Sequence, residues 1–566
     1  MGFTFFQDEN GKDFFPVGLQ AHNSSTGTEL IGKAIQAVKA YGGNCLEAPV
    51  YWYRLEPEKD VYEMELVKDL IDEARAVGLK LIILWFGMSK NGHPNYVPEY
   101  VKMNPGTYRL VIGPDGGTLP ALSPHCEATL QRDKKAFQKL MEFLKAYDEK
   151  ERTVLAVQIE NEMGCAGTDR DYSKEAERDY WEPLPEALKN VHLEDDGREL
   201  LKGKEGLSPW KKQFGRYAHE AFLAWYHAVY VEQLAKAGKA VYPIPLYTNV
   251  MVGENGFEEA GICYNAGAAV GRVLDIWKAG APALDLICPD IYNENRREFL
   301  RICGRYNRPD NPLFIPESPI GGQANAMNAI LAVGEMDAVG ICCFGAESAL
   351  DESGELNEDC RDMALTMRTL ASVTPLLMKY RKTGKIYAIA EDEFETSHYL
   401  KLENYHVVAH YLHSHPMNLG YMEDVSSEEG KKKREVRGRG LLIQTGEHEF
   451  FLTGAGIALD FIKRPDPFSE NSYRQLTSRY AGQLNFLSVE EGHFEGDIWV
   501  RDRCRNGDET NFSQYVLEGQ VIRIRLNPYT AWKKDKQQKT AICPACFLFF
   551  FVLSSEHEKK GARLPC

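Results

Sequence analysis

Positive charge is scarce in this chain of 566 residues. Lysine and arginine together number 66 against 82 aspartates and glutamates, which gives a formal net charge of −16 at pH 7. A nucleic-acid partner would require a basic face for its phosphates, so the composition argues against one. The surplus of acidic residues indicates solubility and says nothing more specific about function.

The sequence also shows no pattern typical of a disulfide framework or of a signal peptide. The 13 cysteines are an odd number and show no regular spacing. Cys45, Cys288 and Cys342 lie inside apolar, strand-like runs, which predicts buried free thiols. The first ten residues contain neither a basic region nor a long apolar run. We therefore expect no signal peptide and a cytoplasmic location.

Metal-ligand spacings and membrane-spanning runs are absent as well. No histidine pair or acidic triplet has the spacing of a metal site, so we expect no metal and no other cofactor. The apolar run at 546–553 is too short to cross a bilayer, and we expect no membrane partner. The sequence leaves the oligomeric state open, and a homo-oligomer is compatible with it.

Residues 1–374 alternate apolar strands with amphipathic helices, which predicts an enlarged (β/α)₈ TIM barrel of the α/β class. The predicted strands are 14–19, 45–51, 79–86, 154–159, 240–247, 284–291, 312–316 and 338–344. The predicted helices are 29–41, 61–77, 130–147, 214–238, 270–279, 296–306, 323–335 and 357–370.

Near residue 375 this rhythm gives way to short strands separated by turns, which predicts an all-β sandwich over 375–532. Its predicted strands are 385–390, 398–403, 406–411, 440–444, 449–452, 499–501 and 521–526. The basic run at 428–439 could form a ligand patch, but a solvated hairpin loop is favoured. Residues 533–566 form a tail of unknown structure, and its single Cys543-x-x-Cys546 is weak evidence for metal or redox chemistry.

The most informative stretch runs from Val154 to Gly164. Residues 154–159 are apolar apart from Gln158, which predicts a buried parallel strand. Glu160, Asn161 and Glu162 follow at once, and acidic groups there are costly unless they have partners or a task. The alternative is a charged turn after an edge strand. Because catalytic groups lie at the carboxyl ends of strands in α/β barrels, the surrounding pattern favours a catalytic site.

A second carboxylate, Glu317, ends the seventh predicted strand between Pro316 and Pro319. Barrel closure would bring the ends of strands four and seven to the same mouth. Two carboxylates facing one cavity are the minimum for hydrolysis of a glycosidic bond, because one protonates the leaving oxygen while the other attacks or stabilises the anomeric centre.

These motifs resemble a known family. Gln158-Ile-Glu-Asn-Glu-Met-Gly164 closely resembles the Gln-Ile-Glu-Asn-Glu-Tyr-Gly signature of glycoside hydrolase family 35, the β-galactosidases. Residues 50–57 resemble the second-strand pattern Val-x-Trp-x-x-x-Glu-Pro of that family. The related family 42 has similar features and belongs to the same clan of retaining barrels. The resemblance covers about residues 10–370, and the β domain is similar to the accessory domain of a bacterial subgroup.

The resemblance implies roles for four residues. Glu162 matches the acid/base of the family and Glu317 its nucleophile, while Asn161 matches the asparagine that binds the sugar 2-hydroxyl. Tyr292 resembles the clan tyrosine that hydrogen-bonds the nucleophile. The sequence departs from the family at Pro49, where a tyrosine is usual. It departs again at 84–91, which replaces a third-strand motif that helps to hold galactose. The reaction type is therefore better supported than the sugar.

Further residues are candidates for substrate contacts, each with an alternative. Glu47 could bind a sugar hydroxyl or pair with a cation. Aromatic side chains at strand ends could stack on a sugar or pack the barrel rim. His22 is a candidate if it faces the mouth, and Asn91 lies where galactose specificity is usually built. The aromatic candidates are Trp52, Trp85 and Phe344.

Two classes of function remain. The first is a retaining exo-β-glycosidase that acts on oligosaccharides or other β-galactosides, with β-glucosidase, β-xylosidase or α-L-arabinopyranosidase activity as alternatives. The second is a barrel that binds sugar without catalysis. Glu162 and Glu317 together favour the enzyme, because a binding protein has no need for that pair.

Overall fold

The computed structural model describes residues 5–253, 258–392, 395, 397–412, 436–463, 486–510 and 513–527. Most of the basic run and the whole tail at 533–566 lie outside the described residues, so the expectations for them stay predictions. No helix among the described residues combines the length and apolarity needed to cross a membrane.

Seven parallel strands form the wall of the first domain, in the order β8-β7-β6-β3-β2-β1-β9. The strands up to this point of the chain are β1 (Val17–Gln20), β2 (Cys45–Tyr51), β3 (Lys80–Lys90), β4 (Leu110–Ile112), β5 (Thr118–Leu122), β6 (Val154–Asn161), β7 (Leu246–Met251), β8 (Leu286–Asp290) and β9 (Ile341–Phe344). β4 and β5 pair as a separate hairpin. Nearly every residue of the seven strands is buried, as expected for a parallel sheet covered by helices.

Helices follow the strands and cover the outside of the sheet. They are α1 (Leu30–Ala40), α2 (Trp52–Leu55), α3 (Glu65–Ala76), α4 (Glu99–Lys102), α5 (Glu127–Asp148), α6 (Lys174–Trp181), α7 (Pro209–Phe214), α8 (Ala218–Val241), α9 (Leu274–Gly280), α10 (Arg296–Tyr306), α11 (Gln323–Gly334), α12 (Arg361–Ser372) and α13 (Thr374–Tyr380). The predicted α/β barrel followed by an all-β domain is confirmed.

The eighth position of the barrel is filled by residues 313–319, which pair with β8 and β9 through single bridges only. The predicted seventh strand at 312–316 is therefore not a regular strand. Pro312, Pro316 and Pro319 have no N–H to donate, so a continuous hydrogen-bonded ladder cannot form. Ile291 N–H still donates to the Glu317 carbonyl at 2.9 Å, which ties Glu317 to the end of β8.

The predicted fifth strand at 240–247 is also misplaced, since α8 continues through Val241 and β7 begins at Leu246. Ala240 and Val241 extend the helix, and Pro243 and Pro245 separate helix from strand because proline is not tolerated in a helix interior. The third strand runs past its predicted end at Phe86 to Lys90.

The second domain is one antiparallel sheet of eight strands in the described residues. They are β10 (Ile386–Ala390), β11 (Ser397–Lys401), β12 (Tyr405–Tyr411), β13 (Arg439–Gly446), β14 (Glu449–Lys463), β15 (Phe486–Glu495), β16 (Ile498–Arg505) and β17 (Gln514–Leu526). The all-β character is confirmed, while the division into a two-sheet sandwich and the domain boundary at 375 stay predictions.

Alternation along the strands gives this sheet two apolar faces. Leu441 and Ile443 of β13 join the apolar core of the barrel, whereas Leu442 between them joins the core of the β domain. Arg439 is buried at the junction and donates to Thr366 Oγ1 and Asp362 Oδ1 of α12 at 2.8 and 2.7 Å. This last member of the predicted basic run therefore anchors the two domains.

Candidate active site

The end of β6 leaves regular strand geometry where the polar cluster begins. Glu160 and Glu162 have φ angles of 60° and 44°, in the left-handed region that non-glycine residues rarely adopt. Such conformations cost roughly 1–3 kcal/mol each and concentrate at functional sites. The Glu162 N–H donates to Asn249 Oδ1 of β7 at 3.0 Å, which holds the strained turn in place.

Glu162 meets two further carboxyl groups, Asp290 at the end of β8 and Glu317 in the segment beside it. One oxygen from each of the three lies within 4.8 Å of the other two. Tyr292 donates its hydroxyl hydrogen to Glu317 Oε1 at 2.6 Å. The predicted pair is thus brought together, and Tyr292 contacts the carboxylate that the sequence assigned to it.

The electrostatics of the site favour a proton on Glu162. Burial, and after it the nearby Glu317, raise the pKa of Glu162 to about 7 against the opposing effects of Lys90 and a hydrogen bond with Asp290. Burial and then the two glutamates hold the pKa of Asp290 well above its usual range. Burial and Glu317 also raise the pKa of Tyr292, so its hydroxyl remains a donor.

A cavity of about 630 Å³ opens above these carboxyls. Lys90, Asn91 and Phe344 line it together with the carboxyl trio and Tyr292. Lys90 is only 5% exposed and its ammonium group donates to Asn91 Oδ1. A cation, three carboxyls and aromatic edges therefore converge on one space, which is the arrangement expected of a site for a small polar ligand.

Two of the remaining predicted contacts, Asn161 and His22, are not among the residues that line the cavity. Asn161 is fully buried, and neither polar atom of its amide has a hydrogen-bond partner among the described residues. His22 packs edge-on against Phe344 with ring centroids 5.2 Å apart, and its Nε2 contacts Ser348 Oγ at 2.8 Å. His22 thus supports the cavity wall from behind.

Three further predicted residues lie away from the cavity. Trp52 and Trp85 are fully buried in the core, where their Nε1–H groups donate to Glu56 and Asp133 at 2.9 Å. Trp85 packs against Phe137 of α5 outside the strand wall, and Trp52 begins helix α2, which also contacts α5. Glu47 is fully buried inside the barrel and accepts a hydrogen bond from Tyr247 at 3.1 Å. Burial raises the pKa of Glu47 well above its usual range.

A second carboxyl pair, Asp133 and Glu160, lies beneath the rim and escaped prediction. Asp133 of α5 accepts hydrogen bonds from Trp85 Nε1, Tyr230 Oη and Met88 N at 2.9, 2.8 and 3.2 Å. Glu160 Oε2 accepts from Ser89 N at 2.7 Å. Burial raises the pKa of both carboxyls, and the neighbouring Asp133 adds to the rise for Glu160.

The pair of Asp133 and Glu160 packs against a β-bulge at the end of β3 and holds it in place. Five residues of β3 after Trp85 span the same distance as two residues of β6, because Trp85 pairs with Ile159 and Lys90 with Asn161. Gly87 lies inside the bulge, where an added Cβ would lie 2.6 Å from Glu160 Oε1 and 2.7 Å from Asp133 Oδ1. Only glycine permits this approach, and the bulge then delivers Lys90 and Asn91 to the cavity.

Asp290 and Asn249 are site residues that sequence reasoning missed. Asp290 ends a strand in the same way as Glu317, so its position was the available signal. Among the described residues, the trio is the one group of carboxyl, histidine or cysteine side chains close enough to share a metal ion. A divalent ion would need the carboxyls charged, whereas their burial and mutual repulsion favour a proton on the trio.

Two segments of the chain match protein-family models. Residues 24–197 match the glycoside hydrolase family 42 model, described as beta-galactosidase. Residues 364–516 match a domain of unknown function, DUF5597. The first match contains Asn161 and Glu162 and ends before Asp290 and Glu317. No curated protein matches the chain with significance.

Solved structures with similar folds include glycosidases of several kinds. The β-amylase catalytic domain of Paenibacillus polymyxa is 11% identical, with 61% of this chain and 96% of that chain covered and a TM-score of 0.45. The β-galactosidase of Halorubrum lacusprofundi is 14% identical, with 63% and 58% covered and a TM-score of 0.43. The β-galactosidase of Marinomonas ef1 is 12% identical, with 63% and 60% covered and a TM-score of 0.45. The chain thus spans less than two thirds of these β-galactosidases, and such TM-scores say nothing about substrate.

The family 42 match over residues 24–197 supports a glycoside hydrolase. Within this class the chain is β-galactosidase-like, because the matching model is that of family 42. The expected affiliation with family 35 is not supported. The family 35 signature around Glu162 is short, and families 35 and 42 belong to the same clan of barrels. This motif alone therefore does not distinguish one family from the other.

Proposed function

We propose that this protein is a retaining exo-β-glycosidase that releases terminal β-D-galactosyl residues from oligosaccharides by double displacement. The observation that carries the proposal is the approach of Glu162 and Glu317, with an oxygen of each within 4.8 Å. Inverting enzymes need about 6.5–9.5 Å between their carboxyls to admit a water, whereas retaining enzymes use about 5–5.5 Å. The short separation supports the retaining mechanism.

The environments of the two carboxyls support a division of labour. Glu162, whose pKa is raised to about 7 by burial and by Glu317, holds the proton that the leaving oxygen needs. Glu317, oriented by Tyr292, attacks the anomeric carbon and forms a glycosyl-enzyme. Glu162 then takes a proton from water, whose oxygen attacks the same carbon and releases Glu317.

The proposed substrate follows from the family match and from the size of the cavity. The family 42 description supports galactose, while β-glucosides, β-xylosides and α-L-arabinopyranosides remain competing substrates. A cavity of about 630 Å³ suits a chain end better than the middle of a polymer. Asn161, Tyr292, Asn91 and Phe344 are the contacts that we propose for the sugar. The ten described cysteines are unpaired, which suits the reducing cytoplasm as the location.

A panel of 4-nitrophenyl glycosides tests the reaction and the sugar together. We expect the β-galactoside to be the best substrate, with Glu317→Gln slowing its turnover by roughly 10⁴-fold or more because no covalent intermediate can form. The exposed Glu352→Gln is the matched control and should behave as the parent protein. A folded parent protein that binds galactose but hydrolyses no member of the panel would establish the non-catalytic sugar-binding barrel instead.

A further inference from the structure

The active site holds one carboxyl group more than a retaining glycosidase requires. Asp290 is 2% exposed and ends β8, and one of its oxygens lies within 4.8 Å of both Glu162 and Glu317. A third negative charge there would repel the other two. The position of Asp290 at the reacting groups therefore calls for a role of its own.

Asn249 reveals how the Asp290 carboxyl is oriented. A backbone N–H can only donate, so the Glu162 N–H at 3.0 Å identifies Asn249 Oδ1 as the acceptor. Asn249 Nδ2 must then be the donor to Asp290 Oδ2 at 2.7 Å. Asp290 Oδ2 accepts this hydrogen bond, whereas no N–H or O–H group among the described residues donates to the buried Asp290 Oδ1.

The charges around Asp290 favour a proton on that oxygen. Glu162 faces it from β6 and Glu317 from the neighbouring segment, while Lys90 approaches from β3 as the cation acting on it. Tyr292 lies two residues further along and donates to Glu317, and Cys288 lies on the same strand. Three buried carboxyls with one such cation cannot all be charged at neutral pH.

We propose that Asp290 is a third working carboxyl of this site, which keeps its proton on Oδ1 and donates a hydrogen bond to Glu162. The proposal rests on the proposed function of Glu162 and Glu317. When Glu162 passes its proton to the leaving oxygen, Glu162 becomes a carboxylate and Asp290 stabilises that charge without losing its own proton. A hydrogen bond to a charged group is about twice as strong as one between neutral groups, so the donation favours the step that charges Glu162.

Two substitutions of Asp290 distinguish a protonated carboxyl that donates a hydrogen bond from a charged carboxylate. Asp290→Asn is isosteric with the protonated acid, since its carbonyl can accept from Asn249 and its NH₂ can donate to Glu162. Asp290→Ala removes the donor. The measurement is the pH dependence of kcat/KM for lactose, whose poor leaving group needs the acid, or for the corresponding disaccharide if another sugar is preferred.

We expect Asp290→Asn to retain activity within about threefold and to keep the alkaline limb of the profile, because it replaces one donor by another. Asp290→Ala should lose about tenfold or more and move that limb upward by about one pH unit, because the Glu162 carboxylate loses a donor. The proposal is overturned if Asp290→Asn moves the limb downward by a unit, which would show a charged Asp290. It is equally overturned if Asp290→Ala behaves as the parent.

An infrared measurement keeps this test independent of the proposed function. In parent protein labelled with ¹³C at the aspartate carboxyls, we expect the band of a protonated aspartic acid at pH 7, and Asp290→Asn should remove it. Asp133→Asn is the matched control, because Asp133 accepts hydrogen bonds from Trp85, Met88 and Tyr230 and should contribute no such band. Melting temperatures show that each variant is folded. A folded parent without the band overturns the proposal whether or not it hydrolyses any sugar.

Discussion

Two clusters of buried carboxyl groups lie on either side of the end of β6. Glu160 and Asp133 form the rim pair, and Glu162, Asp290 and Glu317 form the cavity trio. Burial raises the pKa of Glu160 in the first and of Glu162 in the second. Burial and a shifted pKa are therefore common to both clusters and do not by themselves identify the site of chemistry.

The clusters differ in what their remaining hydrogen-bonding atoms face. Asp133 is enclosed by the protein and accepts three hydrogen bonds from Trp85, Met88 and Tyr230. In the trio, Glu317 Oε2 and Asp290 Oδ1 have no partner among the described residues, and both side chains line the cavity. Glu160 Oε1 of the rim pair also lacks a partner among the described residues, but neither side chain of that pair lines the cavity. Enclosure by protein makes the first cluster a structural support, and access to the cavity makes the second a candidate catalytic site.

The backbone explains how neighbouring glutamates reach different clusters. In a regular strand, residues two apart point to the same face, so Glu160 and Glu162 would share one environment. Their φ angles of 60° and 44° break this alternation. Glu160 consequently turns to Asp133 on α5, and Glu162 turns into the cavity. The strained turn is thus the feature that separates support from chemistry.

Glu162→Gln should produce a large effect on turnover, second only to that of Glu317→Gln. For substrates with poor leaving groups we expect a loss of about 10²–10⁴-fold, because the general acid is absent. With an activated aryl β-galactoside the glycosyl-enzyme should still form and then accumulate. Added azide should rescue that second step, since a small anion needs no general base, and product analysis by NMR should show the β-glycosyl azide.

Glu317→Gln serves as the matched control for the azide experiment. Azide should not restore its turnover with formation of a β-glycosyl azide. An α-glycosyl azide from Glu162→Gln, or rescue of the Glu317 variant in its place, would mean that the two roles are reversed.

Substitutions in the rim pair should lower the stability of the fold, whereas substitutions in the cavity trio lower the rate of the reaction. Asp133→Ala leaves Trp85 Nε1–H and the Tyr230 hydroxyl without their acceptor, so we expect a loss of about 3 kcal/mol in the free energy of unfolding. Asp133→Asn keeps the shape and should cost about 1 kcal/mol. Urea unfolding measures both.

Asp69→Ala, which removes an aspartate that is 61% exposed, is the control and should change stability by less than about 0.5 kcal/mol. If Asp133→Ala is as stable as this control, the rim pair is not a structural support.

The sequence identified those site residues whose neighbours along the chain form a recognisable pattern. Glu162 follows an apolar strand within a recognisable motif, and Glu317 ends another strand between two prolines. Asp290, Asn249 and Asp133 depend on contacts between β6, β7, β8 and α5, which no local pattern records. For Trp52 and Trp85 the sequence places the residues near strand ends, but the direction of their side chains follows from the packing against α5.

The same limit applies to the fold. Sequence patterns predicted the barrel and the bounds of β2 and α10, because β2 is a mostly apolar run and α10 has a clear amphipathic period. They misplaced the fifth strand, where helix-compatible residues run up to Pro243, and they counted the proline-rich segment around Glu317 as a strand. Single bridges and helix ends are decided by tertiary contacts, to which single-sequence patterns are insensitive.

The smallest expected effect links the chemistry of Glu162 to stability. The pKa of Glu162 rises from 4.5 to about 7 on folding, with burial as the first cause. Between these values the folded protein keeps a proton that the unfolded chain releases. The contribution of this proton to stability is therefore complete below about pH 4.5 and is lost as the pH rises through about 7.

Glutamine stays neutral throughout, so Glu162→Gln should match the parent near pH 4 and be more stable by about 1–3 kcal/mol near pH 8. Urea unfolding at both pH values measures this difference, with Glu352→Gln as a control that should show no such trend. An equal gain at both pH values would show that the effect does not come from a charge buried in the cavity, and the distinction between Glu162 and the rim pair would then need another physical basis.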